Sequence, residues 1–176
     1  MGRLDRNTSG IVLAAKDKLA SGMLTKAIRA GEVQKTYIAI ATGELATDNG
    51  MQTIDCGIRR QAESVIMRTT CPDSQDPSEA SVTDYEVLDA RDGLSLIRVY
   101  PRTGRTHQIR VHFAYIGHPL LGDDLYGMPD ARIGRHALHA QSLTLPLPFS
   151  EQRVCLQAPM AKDMQALIKQ YFPRYS

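Results

Sequence analysis

Apolar and polar residues alternate along this chain in short blocks, and the period of each block predicts an element. Residues 9–15 are a short apolar run with β-branched members after a Thr-Ser-Gly turn, which predicts a buried strand. Asp17 then caps a predicted helix whose apolar positions Ala20, Met23, Leu24, Ala27 and Ile28 keep helical spacing, and Gly31 stops it. Residues 34–42 alternate with period two: Thr36, Ile38 and Ile40 face one way, Lys35, Tyr37 and Ala39 the other. Weaker strands are expected near 52–56 and 64–70, followed by a Pro-, Asp- and Ser-rich loop over 71–79. Residues 81–88 and 94–100 flank Arg91-Asp92-Gly93 and predict a hairpin.

Residues 103–119 can be parsed in two ways. Alternation would put Ile109, Val111 and Phe113 on one face of a strand. A helix capped by Thr106 would instead align Ile109, His112, Phe113 and Ile116, and the stop at Gly117 and Pro119 favours it. A glycine turn feeding a helix N-terminus among arginines is also a sensible anion site. After a glycine-rich connection over 122–134, strands at 137–145 and 153–157 lead to a last helix over 160–171. This order predicts an α+β fold in a single domain spanning 1–176, with helices packed on a mixed, mostly antiparallel sheet.

Composition changes the picture little. Hydrophobic residues make up 43% and charged residues 23%, which is ordinary for a soluble globular protein and predicts a cytoplasmic one. Three scattered cysteines without Cys-x-x-Cys spacing argue against a disulfide framework or a cysteine zinc site. Charge distribution says more than the net charge of +2: Arg98, Arg102, Arg105 and Arg110 share one stretch, and residues 94–122 contain no acid. Such a stretch predicts either a basic surface for a phosphate-rich ligand or a merely solvated basic face. All five histidines (His107, His112, His118, His136, His139) fall in one part of the chain. They lack the HExxH pattern, and His107 and His112 are five apart, off a common helical face, so no metal is expected.

Three segments stand out together: Arg3-Leu4-Asp5-Arg6-Asn7-Thr8-Ser9-Gly10, then Lys35-Thr36-Tyr37, then Arg102-Thr103-Gly104-Arg105-Thr106-His107-Gln108-Ile109-Arg110-Val111-His112. With Gly117-His118-Pro119-Leu120-Leu121-Gly122-Asp123 and Leu138-His139-Ala140, their order and spacing resemble the RluA-type pseudouridine synthases, which convert uridine to pseudouridine in ribosomal or transfer RNA. The resemblance implies a pseudouridine synthase catalytic-domain fold and no metal or organic cofactor. It implies that Asp5 is the catalytic carboxylate, attacking sugar or base or removing a sugar proton. Tyr37 would stack on the target base and assist late proton removal, and Arg110 would pair with the aspartate. Arg3 would help fill the space left by the flipped base. Arg105 and His107 are expected either to contact phosphate or the substrate strand, or to cap structure.

The chemistry suits these residue types. A guanidinium keeps a partly buried carboxylate ionised, and its fork matches both oxygens. An aromatic face offers an extruded base a stacking surface. The family's aspartate motif usually begins with histidine and follows a longer stretch of catalytic domain, whereas here Gly2 precedes Arg3. The expectation is therefore a domain shortened at its N-terminus, with sheet edges open to self-association. The competing readings are an inactive RNA-binding remnant and a metal-dependent hydrolase built on the histidines.

Overall fold

The structure is a computed structural model and describes residues 3–147, 150 and 152–175. In chain order it runs β1 (Ser9–Gly10), α1 (Lys18–Arg29), β2 (Gln34–Thr42), β3 (Met51–Asp55), β4 (Gly57–Arg60), β5 (Arg68–Cys71), β6 (Val82–Arg91) and β7 (Leu94–Pro101). Then come α2 (Gln108–Tyr115), β8 (Leu138–Pro146), β9 (Arg153–Gln157), α3 (Lys162–Tyr171) and a 3-10 turn at Pro173–Tyr175.

Seven strands form one sheet in the order β1-β8-β2-β7-β6-β3, with β9 also on β8, while β4 and β5 make a separate small ladder. Only the β1–β8 pairing is parallel among the described residues, so the sheet is mixed and mostly antiparallel, as expected. The β6–β7 hairpin turns on Asp92 and Gly93, whose φ of 53° and 70° suit a two-residue type I′ loop. Helix α1 starts where predicted, with the Ala20 N–H donating to the Asp17 carboxylate at 2.8 Å.

Both faces of β2 are covered, which explains its apolar richness. Ala39 and Ala41 join Ile97, Val99, Ile109 and Phe113 beneath α2. Ile38 and Ile40 join Leu94, Leu96, Met164 and Leu167 beneath α3. A third cluster sets Leu24 of α1 against Leu143 and Leu145. Because paired residues share a face, the partners of Lys35 and Tyr37 in β8, Leu143 and Ala140, place that cluster on the α2 side of the sheet. One irregularity interrupts the β2–β8 ladder: Thr36 faces Ser142 and Tyr37 faces Ala140, so Gln141 is an extra, bulged residue.

Two expectations need correction. The predicted strand over 9–15 pairs only at Ser9 and Gly10. From Ser142 onward the same edge of β8 is occupied by β9, so Ile11, Leu13 and Ala15 pack inward without a ladder. The 103–119 segment does form a helix, but its N-cap is His107 in the left-handed region (φ 58°) rather than Thr106.

Candidate active site

Asp5 opens a tight turn in which the Thr8 N–H donates to the Asp5 carbonyl at 3.0 Å. Asn7 takes a left-handed φ of 75° inside it, a conformation that asparagine tolerates better than most residues. The next residues are fastened to the segment entering β8. Thr8 Oγ1 lies 2.7 Å from His136 Nε2, and Ser9 Oγ lies 2.9 Å from His139 Nδ1. The turn presents Asp5 within electrostatic reach of Tyr37, His107 and Arg110.

Tyr37 projects from β2 on the α2 side of the sheet. Burial first, and the Asp5 carboxylate second, push its phenol up to about 12. Tyr37 and Lys35 line a cleft with Arg3, Leu4, Ile11 and Leu13. Burial also pushes the Lys35 amine below its ordinary range.

Arg110 comes from the buried side of α2 and is 3% exposed. Its guanidinium does not fork onto Asp5. Nε and Nη2 each donate at 2.7 Å to the two carboxylate oxygens of Asp123, and Asp124 lies 3.8 Å away. Asp123 oxygen Oδ1 also accepts from the N–H groups of Leu125 and Tyr126. Its carboxyl therefore sits below the usual range despite burial, with Arg110 the main cause. The expected Arg110–Asp5 pair is corrected accordingly: among the described residues no ion pair within 4 Å joins them, and their interaction acts at longer range.

His107 and Arg110 share a neighbour that the sequence reading missed. The Tyr126 ring lies 5.2 Å below the Arg110 guanidinium. Tyr126 oxygen accepts from the Arg68 N–H at 2.9 Å and lies 2.8 Å from His107 Nδ1. Burial holds the His107 imidazole below its ordinary pKa, so it is neutral near pH 7. His136, 2% exposed, is driven down to about 4 by burial and then by Arg110.

The structure thus sets Tyr37, His107 and Arg110 within electrostatic reach of Asp5, and Arg3 lines the same cleft as Tyr37. Arg105 lies apart: its guanidinium donates to the carbonyls of Ala80 (3.0 Å) and Pro77 (3.3 Å). The loop before α2 is held by Gln108, whose Oε1 accepts from Thr103 Oγ1 and the Arg105 N–H while Nε2 donates to Val82 and Thr83. The acid-free basic stretch is largely neutralised in space. Arg98 pairs with Glu86 and Arg102 with Asp84. The histidines mostly meet oxygens of Thr8, Ser9, Thr42, Thr83, Cys56 and Tyr126. Among the described residues no group of three or more His, Cys, Asp or Glu is placed to hold a metal ion. Tyr126 escaped the sequence reading, and so did the roles of Asp123, which was read only as the end of the Gly117–Asp123 block, and of His136, which was read only as one of five clustered histidines.

The chain is similar to known proteins. Residues 1–115 match the family described as RNA pseudouridylate synthase. An uncharacterized RNA pseudouridine synthase of Bacillus subtilis, YjbO, is 43% identical over 167 residues, covering 95% of this chain and 57% of that protein. The ribosomal large subunit pseudouridine synthase D of Nitrosomonas europaea is 37% identical, over 95% of this chain and 49% of its own length. The dual-specificity RNA pseudouridine synthase RluA of Yersinia pestis is 37% identical over 83% of this chain and 70% of that one. The chain thus spans about half the length of the first two. Among solved structures, human RNA pseudouridylate synthase domain containing 1 superposes with a TM-score of 0.74 at 31% identity, covering 93% of this chain and 70% of that one.

Proposed function

The chain belongs to the RluA-type RNA pseudouridine synthases, and on that premise we propose that it isomerises uridine to pseudouridine in structured RNA, with Asp5 as the essential carboxylate. The observation that carries this reading is that Tyr37 and Arg110, from two distant segments, both lie within electrostatic reach of Asp5. In the reaction the glycosidic bond from sugar C1′ to uracil N1 breaks and a bond from C1′ to C5 forms. The C5 proton leaves and N1 gains one, so no oxidant or cofactor is consumed.

The uridine must leave its stack to reach Asp5, because its reacting bonds are inaccessible within one. Tyr37 offers the stacking face, worth about 1–3 kcal/mol per base. A phenol held at about 12 keeps its proton at neutral pH, which favours stacking over proton abstraction by a resting phenolate. Arg110 supplies positive potential near Asp5 while Asp123 holds its fork. Arg3, on the cleft wall, would fill the gap in the RNA stack, and His107, within electrostatic reach of Asp5, would contact the substrate strand. The relative named for the large ribosomal subunit supports ribosomal RNA as a substrate, and transfer RNA is the other substrate to be tested.

The test is incubation with uridine-labelled ribosomal and transfer RNA, scoring pseudouridine for the wild-type chain and Asp5→Asn. Product from wild type alone is expected. Equal product from both removes Asp5 from the chemistry. Salt-sensitive RNA binding without product would make the chain an RNA-binding remnant instead.

A further inference from the structure

Arg135 lies outside the segments that carry the family resemblance, yet it has the most extensive side-chain hydrogen bonding near the Asp5 turn. Its side chain is 14% exposed. Nε and Nη2 donate to the two oxygens of Asp163 on α3 at 2.7 and 2.9 Å. Nη1 donates to the carbonyls of Asn7 and Leu138, each at 3.0 Å, and Nη2 reaches Ser9 Oγ at 3.0 Å. One planar group therefore ties the left-handed residue of the Asp5 turn, the first residue of β1, the start of β8 and helix α3.

A second observation places this hub beside the Arg110 site. The Arg135 carbonyl approaches Gly122 so closely that a Cβ there would lie 2.5 Å from it, and Gly122 has a φ of +73°. Ala137 N–H donates to the Leu121 carbonyl at 2.8 Å. The segment that grips the Asp5 turn is thereby locked against the residue preceding Asp123, the partner of Arg110. His136, between these contacts, adds its bond to Thr8.

We propose that Arg135 is a positioning residue for Asp5: by holding the Asn7 carbonyl and Ser9 it fixes the turn that aims the carboxylate, in register with the Arg110–Asp123 pair. A lysine cannot span these partners, because a point donor replaces a rigid fork. The catalytic consequence rests on the isomerase reading above; the placement of the turn does not.

The experiment compares wild type, Arg135→Lys, Asp163→Asn and the control Arg132→Lys, whose side chain pairs with Asp130 in the same connection. Amide hydrogen exchange is read at Thr8, whose N–H bonds Asp5, and at core residues such as Leu96. Single-turnover pseudouridine formation and RNA affinity are measured alongside. Arg135→Lys should speed exchange at Thr8 by about tenfold, leave Leu96 unchanged, and slow the chemical step by about tenfold or more with RNA affinity within about twofold, as expected for a misaimed group. Asp163→Asn should show the same pattern more weakly, and Arg132→Lys none of it. Unchanged exchange at Thr8, or faster exchange throughout the core, overturns the proposal. So does a normal single-turnover rate despite a loosened turn. If wild type itself forms no pseudouridine, the isomerase reading falls, and exchange at Thr8 still decides the role of Arg135.

Discussion

Arg110 and Asp5 lie within electrostatic reach of each other but are held in different ways. Arg110 rides on a helix whose residues Gln108 to Phe113 are all buried, and its fork is matched by a carboxylate that is itself fully covered. Asp5 sits half-buried on a turn outside any strand, and the bonds that hold that turn come mainly from Arg135, His136 and His139, more than a hundred residues away. The cation is fixed by packing, the carboxylate by a few polar bonds. Damage to the first should therefore appear as lost stability, and damage to the second as lost activity in a folded protein.

The sharpest break of this contrast is Asp5→Asn. It should lower pseudouridine formation by roughly 10³-fold or more, as removal of an essential catalytic group does, with an unchanged melting temperature. Asp123→Ala should do the reverse first. It leaves the buried Arg110 charge with only the exposed Asp124, 3.8 Å away, at a cost of about 3–5 kcal/mol, readable as an earlier urea midpoint. If that variant is as stable as wild type, the packing account of Arg110 is wrong.

Acid tests the junction between the two regions. His136 is held at about 4 when folded but titrates near its ordinary value of about 6.5 when unfolded. As pH falls through 6.5 the unfolded chain takes up this proton first, so acid favours unfolding. The loss accrues between about pH 6.5 and 4 and approaches roughly 3 kcal/mol from this residue. Urea unfolding at pH 7 and pH 4.5 should show a smaller difference for His136→Asn than for wild type. Thr8→Val removes the hydroxyl partner of His136 and should cost about 1–3 kcal/mol at pH 7. The smallest effect is expected from Arg105→Ala, whose partners are exposed loop carbonyls; stability should move by about 0.5 kcal/mol or less.

Much of the architecture was legible because local chemistry and tertiary burial agree. Gln34–Thr42 reads as a strand and is one, with the two faces assigned correctly, since each face meets its own core. The Asp17 cap and the Asp92-Gly93 turn were equally readable. The charge reading went less well. Arg98 looked like part of a bare basic surface, but a bulge at Leu88 shifts the hairpin so that Glu86 faces Arg98; regular counting from the turn would have put Val99 there. Likewise the pairing of Arg110 depends on how the chain reverses after α2 to bring Asp123 back, and no local period encodes that. Family resemblance supplied the names Asp5, Tyr37 and Arg110, while the structure supplied what each of them touches.

The extra residue in β8 has a consequence for how the cleft could change. Gln141 bends the strand beside Tyr37, and its carbonyl is taken by the Ala158 N–H at 2.9 Å. Removing it would leave Ala140 opposite Tyr37 and Ser142 opposite Thr36, so every side chain would keep its face while the strand lost its kink. Curvature and composition are therefore separable at this position. A single codon deletion would reshape the cleft beside Tyr37 without altering one residue that lines it.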